Sequence, residues 1–355
     1  MKKNLLFYVM LFGLVALLVA CGGNEPASQS DNNEEKTEAK TEEKSNDKKY
    51  TLKFSTQSVP NDAHTKAIEI FKEELEASTD GQVTVELHHS GALYNQDSEL
   101  QALMRGNVEM AYTSPPWLAD IVPSVSMFTA GYMFKDYDHM TSVYNGEIGK
   151  EVFEKIASET GVRPLGAFYL GSRQINLVQD TPVKTPEDLK GVKLRMPDSP
   201  SWLFLGEAMG ANPTPIAFTE LYMALSTGTV DGQDNPMPTV KNAKFYEVTK
   251  SLSITNHIID TVWPTINEEL WVEMGPDLQA KIYEAVAAAQ KVCDETNIQA
   301  EKELVEFFKQ EGLTVVEADI EAFSKHVQEQ YLNNTEMTSS WDMDLFNQIQ
   351  EMANN

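Results

Sequence analysis

The chain is short of cysteine and of positive charge. Two of its 355 residues are cysteines, Cys21 and Cys293, and no CxxC pair occurs. Thiolate zinc clusters and thioredoxin-type redox chemistry are thereby excluded. Lys plus Arg number 28 against 54 Asp plus Glu, a formal net charge of −26. Such a surface repels phosphate backbones, which argues against nucleic-acid binding. It argues equally against charge-driven adhesion to an anionic membrane. A buried local arginine can still outweigh that global field for a small anion. The six histidines form no HExxH or other ligand spacing. There is no GxSxG elbow, no Walker loop and no GxGxxG after a strand. Asp231-Gly232-Gln233-Asp234-Asn235 is acidic but lacks the glycine and the bidentate glutamate of an EF-hand loop. Nothing here points to catalysis, a metal or a cofactor. The one acid–base pair that can be named, Asp198 with His257, would suit a surface hydrolase or lyase acting on acidic sugars.

What is present begins with an address. Lys2 and Lys3 precede an uncharged apolar run from Leu5 to Ala20. At roughly 16 residues this run is short for a membrane span, which needs about 20. A basic start and a short apolar run read as a secretory signal. The run ends Leu18-Val19-Ala20-Cys21-Gly22, which resembles a bacterial lipobox. Residues 1–20 are therefore expected to be a lipoprotein signal peptide, with Cys21 the lipidated first residue of the mature chain. Residues 21–49 are Asn, Glu, Lys, Ser and Thr with almost no aliphatics. Such a segment buries too little apolar surface to offset its chain entropy and is expected to be a disordered tether. About 28 flexible residues reach roughly 30 Å. Lipid and tether together suggest the outer face of a Gram-positive membrane, or the periplasm in a Gram-negative cell.

The rest reads as a globular α/β body. Leu52 and Phe54 alternate in a strand over Tyr50–Ser55. Ala63, Ala67, Ile70, Phe71 and Leu75 form one helical stripe. Val83, Val85 and Leu87 make a second strand, Leu100 to Met104 a helix, and Met110 to Thr113 a third strand. This alternation implies a parallel sheet with helices on its faces. The style repeats in a strand from Val192 to Met196 and helices at Ser201–Met209 and Thr219–Ser226. From Pro276 to about Gln310 one apolar stripe runs long enough to brace two domains, and Gly312 stops it. Cys293 lies on that stripe as inert packing. Val315 and Val316 form a last strand, and a terminal helix carries Trp341 and Phe346.

Two arginines stand apart from the surface charge. Arg195 ends the apolar strand Gly191-Val192-Lys193-Leu194-Arg195, where open α/β sheets place ligands. Arg173 follows another apolar stretch. A guanidinium offers a planar fork that matches a carboxylate. From position alone, an intramolecular ion pair is as good a reading for each. The stretch from Gly191 to Pro236 contains LRMP, GANPTP, AFTELYMAL and DGQDNP in order. It resembles the DctP-type solute-binding proteins of TRAP transporters. FKEELEASTDGQVTVELHHSGAL and LMRGNVEMAY upstream fit as well, as do MFTAGYMFKDYDHM and KFYEVTKSLSITNHII. The resemblance covers about residues 50–330.

That resemblance implies a two-lobed, Venus-flytrap α/β fold with a long helix spanning both lobes. Residues 50–170 with about 260–299 would form lobe I, and 171–259 with about 300–355 lobe II, hinged near Leu170 and Ile259. It implies a monomeric, cofactor-free binding protein, not an enzyme. An organic acid would be held between the lobes and passed to TRAP membrane subunits. The LRMP arginine of the family, which pairs with the ligand carboxylate, falls on Arg195. The assisting arginine falls on Arg173, the carboxylate-reaching asparagine on Asn235, and the covering phenylalanine on Phe218. The remaining pocket candidates are Gln57, His64, Ser114, Trp117, Asp198, Trp202, Asn256 and Trp263. The sialic-acid branch carries an acid and an arginine after the strand matching Met110 to Thr113. Here Ser114-Pro115-Pro116-Trp117 has neither, which weighs against sialic acid. Asp198 would repel a second ligand carboxylate and accept hydroxyls, favouring a uronate or aldonate over a C4-dicarboxylate. A binding protein of an ABC importer would share the fold and tether but lack the GANPTP and DGQDNP blocks.

Overall fold

In a computed structural model the chain is described over residues 48–353. The signal peptide, Cys21 and nearly all of the tether therefore lie outside the described residues. Eleven strands are formed there: β1 (Tyr50–Ser55), β2 (Val83–His88), β3 (Met110–Thr113), β4 (Val162–Pro164), β5 (Phe168–Leu177), β6 (Lys193–Met196), β7 (Asn212–Pro215), β8 (Gly232–Pro236), β9 (Ser251–Ile254), β10 (Ile259–Asn267) and β11 (Thr314–Glu317). Their order is β2-β1-β3-β10-β5-β8-β6-β7, with β4 on β10 and the β9–β11 pair on β5.

The first lobe starts as the alternation dictates. Tyr50, Leu52 and Phe54 are buried on one side of β1. β1 lies parallel to β2 and β3. Helix Ala63–Ser78 covers this sheet with Ala67, Ile68, Phe71 and Leu75. In the second lobe β6 is parallel to β7 and β8, and β11 to β9. The fully parallel sheet expected from the element order is not what joins them. β10 runs antiparallel to β3, β4 and β5, and β5 antiparallel to β8 and β9. Two long antiparallel strands thus pass from one lobe to the other. At the crossing β10 has a bulge between Asp260 and Thr261. Opposite it, Gly171 adopts φ +127, and a Cβ there would meet Pro236 at 2.6 Å. Only glycine fits both the backbone angle and the space.

The two-lobed fold is braced by the long helical run Glu268–Gln310. It breaks at Gly275, with φ 76, and Pro276 restarts it at a position where a missing N–H costs nothing. At 1.5 Å per residue, the part after the break is about 50 Å long. Leu278, Ile282, Ala289 and Cys293 pack into the apolar cluster of β1, β2 and helix Ala63–Ser78. Leu304 and Phe308, further along, pack into a separate cluster with Leu221, Leu225, Val240 and Phe245. One amphipathic stripe therefore serves two cores. The C-terminal segment returns to the stretch near residue 130: Trp341 Nε1 donates to Ser126 Oγ at 2.9 Å, and His139 Nε2 to the Ile349 carbonyl at 2.9 Å.

Candidate functional site

The carboxyl ends of β1, β3 and β6 face a common cleft, as open α/β sheets tend to arrange. A cavity lies there, lined by residues of both walls. One wall carries Gln57, His64, Ser114 and Trp117 from the first lobe; the other carries Arg173, Arg195, Trp202, Phe218 and Asn235. Leu170 and Asp260 to Val262 of the crossing strands form the floor. Most of the candidates read from the sequence are thus brought together.

Arg173 is held by its own protein. Nε donates to Asp234 Oδ2 and Nη1 to Asp260 Oδ2, both at 2.7 Å. Nη2 reaches the Asp234 carbonyl and, at 3.3 Å, Asn235 Oδ1. The Trp202 ring lies 4.4 Å from the guanidinium carbon. Burial opposes the charge of Arg173, and the two carboxylates restore it. Arg173 also keeps the buried Asp234 below the usual carboxylate range, against a larger desolvation penalty. His257 Nε2 lies 3.1 Å from Asp234 Oδ2, and burial lowers the imidazole's pKa so that it stays neutral. Arg173 is therefore a compensated charge.

Arg195 is not. It is 1% exposed and lines the cavity. Nε donates to the Ile216 carbonyl at 2.7 Å, and Nη2 to Gln96 Oε1 at 3.3 Å. Among the described residues no carboxylate makes an ion pair with it. Desolvation pushes its pKa down to about 9; Asp234 and Asp97 oppose the drop and Arg173 adds to it. It remains a cation at neutral pH, at a cost that an anion in the cavity would relieve.

The rest of the lining is polar and partly unsatisfied. Gln57 Nε2 donates to the Tyr94 carbonyl, but its Oε1 is buried without a partner. Trp202 Nε1 is likewise buried and unpaired. Glu99, 6% exposed, accepts from Ser55 Oγ at 2.5 Å, and burial pushes its carboxyl up to about 7. Asp62 accepts from Asn242 Nδ2 across the cleft at 2.9 Å, and burial raises its pKa. Gln96 also spans the cleft: its Oε1 accepts from the Phe218 N–H at 3.0 Å as well as from Arg195.

Three candidates lie elsewhere. Asp198 follows the Pro197 turn and is exposed outside the cavity walls, where its charge adds to the partial burial that raises the pKa of Asp97 and Asp120. Asn256 Oδ1 accepts from Ser172 Oγ and Gln174 Nε2 at 2.8 and 2.7 Å and is not part of the lining. Trp263 is fully buried against Tyr144 and Phe153. The acid–base pair of Asp198 and His257 does not form, since His257 is buried on Asp234 and Thr255. Sequence reading missed Asp62, Gln96, Glu99 and Asp260. A signal existed for two of them. Glu99 shares the buried helix face of Leu103, and Asp260 interrupts an apolar strand. No group of three or more His, Cys, Asp and Glu among the described residues is placed to hold a metal ion.

Comparison with known proteins shows the family and the fold. Residues 54–337 match the family model of bacterial extracellular solute-binding proteins, family 7. The chain is 32% identical over 281 residues to the sialic acid-binding periplasmic protein SiaP of Vibrio cholerae, covering 79% of this chain and 87% of that one. It is similar to a TRAP periplasmic solute-binding protein of Roseobacter denitrificans solved with bound 3-deoxy-D-manno-oct-2-ulosonic acid: 39% identity, TM-score 0.82, 86% of this chain and 99% of the other. It is also similar to one from Sulfurospirillum deleyianum with bound succinate, at 25% identity and TM-score 0.77, covering 85% and 99%.

Proposed function

This chain belongs to the DctP-type solute-binding proteins of TRAP transporters, and we propose that it captures a hydroxylated monocarboxylate, a sugar acid such as a uronate or aldonate. The family role is extracytoplasmic and non-catalytic: a small carboxylate-bearing acid is bound and delivered to TRAP membrane subunits.

The observation that carries the ligand reading is Arg195. A buried guanidinium on a cavity wall with no carboxylate partner is a built demand for an anion. Two charge-assisted bonds, each worth roughly 1.5–3 kcal/mol, supply much of the roughly 8 kcal/mol that micromolar binding needs. Arg173 contributes shape more than charge, because Asp234 and Asp260 already neutralise it. The cavity therefore offers one uncompensated cation, which suits one carboxylate. Polar lining such as Gln57 and Ser114 suits ligand hydroxyls. The relative holding a sugar acid supports this class.

Capture is a closing motion in this proposal. Residues 50–170 with about 260–299 move against 171–259 with about 300–355, about the crossing near Leu170 and Ile259. Closure removes water and strengthens the arginine–carboxylate pairing. The ligand shifts the open–closed equilibrium only by its differential affinity for the two forms. The chain acts as a monomer tethered through lipid on Cys21.

A thermal-shift panel of uronates, aldonates, sialic acid and C4-dicarboxylates tests the class. A ligand at 100 times its Kd adds about 2.7 kcal/mol of stability. A shift with sugar acids supports the proposal. A shift with succinate or malate alone overturns it in favour of a dicarboxylate.

A further inference from the structure

We infer that Glu99 selects hydroxylated monocarboxylates over dicarboxylates in this cleft. The inference rests on the reading of Arg195 given above and deepens it.

Glu99 projects from helix Gln96–Met104 on the face that also buries Ala102 and Leu103. It lines the cavity and is held by Ser55 Oγ, with the Gln57 amide beside it. Among the described residues it forms no ion pair, and the charges acting on Arg195 are Asp234, Arg173 and Asp97, not Glu99. Gln96, one turn before Glu99 on the same helix, bonds Arg195, so the acid lines the cavity about one helical turn from the arginine's partner.

The other charged groups on the lining leave Glu99 without help. Helix Ala63–Ser78 and its cap bring Asp62 and His64, the latter held neutral by burial. β10 brings Asp260, already paired with Arg173 of β5. Asp97, on the same helix as Glu99, is raised by partial burial and by Asp198 and Glu220, with Arg195 opposing them. A ligand docked by its carboxylate on Arg195 thus presents its remaining groups to the acids and amides of this lining. A hydroxyl there donates to the Glu99 carboxylate. A second carboxylate there meets a like charge, and two ionised carboxylates in contact are disfavoured.

The protonation of Glu99 turns this into a measurable sign. Its carboxyl titrates near neutrality, at about 7. A hydroxyl donor binds the ionised form better, so affinity for a sugar acid rises with pH through that range. A dicarboxylate binds the protonated form better, so its affinity falls. One coupled proton gives up to about 10-fold between pH 6 and pH 8.

The test is calorimetric titration of the full chain with D-gluconate and with succinate at pH 6, 7 and 8, for wild type and Glu99→Gln. Opposite pH slopes in the wild type, with both flattened in Glu99→Gln and succinate improved about 10-fold at pH 8, support the assignment. The wild-type slopes alone remain informative if the variant folds poorly. Parallel slopes, or an unchanged gluconate-to-succinate ratio in Glu99→Gln, overturn it. Arg195→Ala separates the two readings. If it loses both ligands while Glu99→Gln changes nothing, the Glu99 assignment alone falls. If Arg195→Ala binds as wild type, the carboxylate reading falls.

Discussion

Replacing Arg195 with methionine should move stability and binding in opposite directions. Methionine keeps the length of the stem and removes the charge. Burial has pushed the guanidinium from its ordinary value to about 9. For a base with a depressed pKa the cost is full below the folded-state value, so at pH 7 all of it is present. It is lost only as pH rises above about 9. At 1.36 kcal/mol per pH unit that cost is on the order of 5 kcal/mol. Two hydrogen bonds, to the Ile216 carbonyl and to Gln96, are lost in exchange. The carbonyl, left buried, gives back about 1–3 kcal/mol. Arg195→Met should therefore stabilise the ligand-free protein by about 2 kcal/mol, or roughly 3 °C in Tm. The same variant should lose the two charge-assisted bonds to ligand, about 100-fold or more in Kd. Differential scanning calorimetry without ligand and titration calorimetry with it measure both. A ligand-free variant less stable than wild type would refute the reasoning, because it would mean that the charge is already satisfied within the fold.

Two further outcomes follow from the same geometry. Asp234→Asn leaves Arg173 with Asp260 as its one carboxylate partner and should cost about 3–5 kcal/mol in urea denaturation, as breaking a buried pair does. Gly275→Ala meets no atom within 4 Å, yet its φ of 76 disfavours a Cβ, so it should cost about 1–2 kcal/mol through the backbone alone.

Much of the fold was legible because its elements are amphipathic. β1, helix Ala63–Ser78 and the long helix after Pro276 each show their period in the sequence, and each buries the stripe that the period marks. The crossing strands were not legible in the same way. β5 and β10 are buried on both faces, so they carry no alternation to read. β8 is fully buried although its sequence is Gly-Gln-Asp-Asn-Pro. Its polar side chains are satisfied by Arg173, His257 and Asn176, partners distant in sequence. Arg195 and Arg173 stand out in the sequence because a charge interrupts an apolar strand, and both line the cavity. The site was misplaced at Asp198, where nearness to Arg195 in sequence stood in for nearness in space. The carboxylates on the cavity lining are instead Asp62, Glu99 and Asp260.

The most direct measurement is a crystal structure of the chain with a bound aldonate or uronate. The account predicts carboxylate oxygens within about 2.7–2.9 Å of the Arg195 guanidinium nitrogens, with Arg173 still on Asp234 and Asp260. A ligand whose carboxylate avoids Arg195, or displaces Asp260 from Arg173 to pair there, would contradict it.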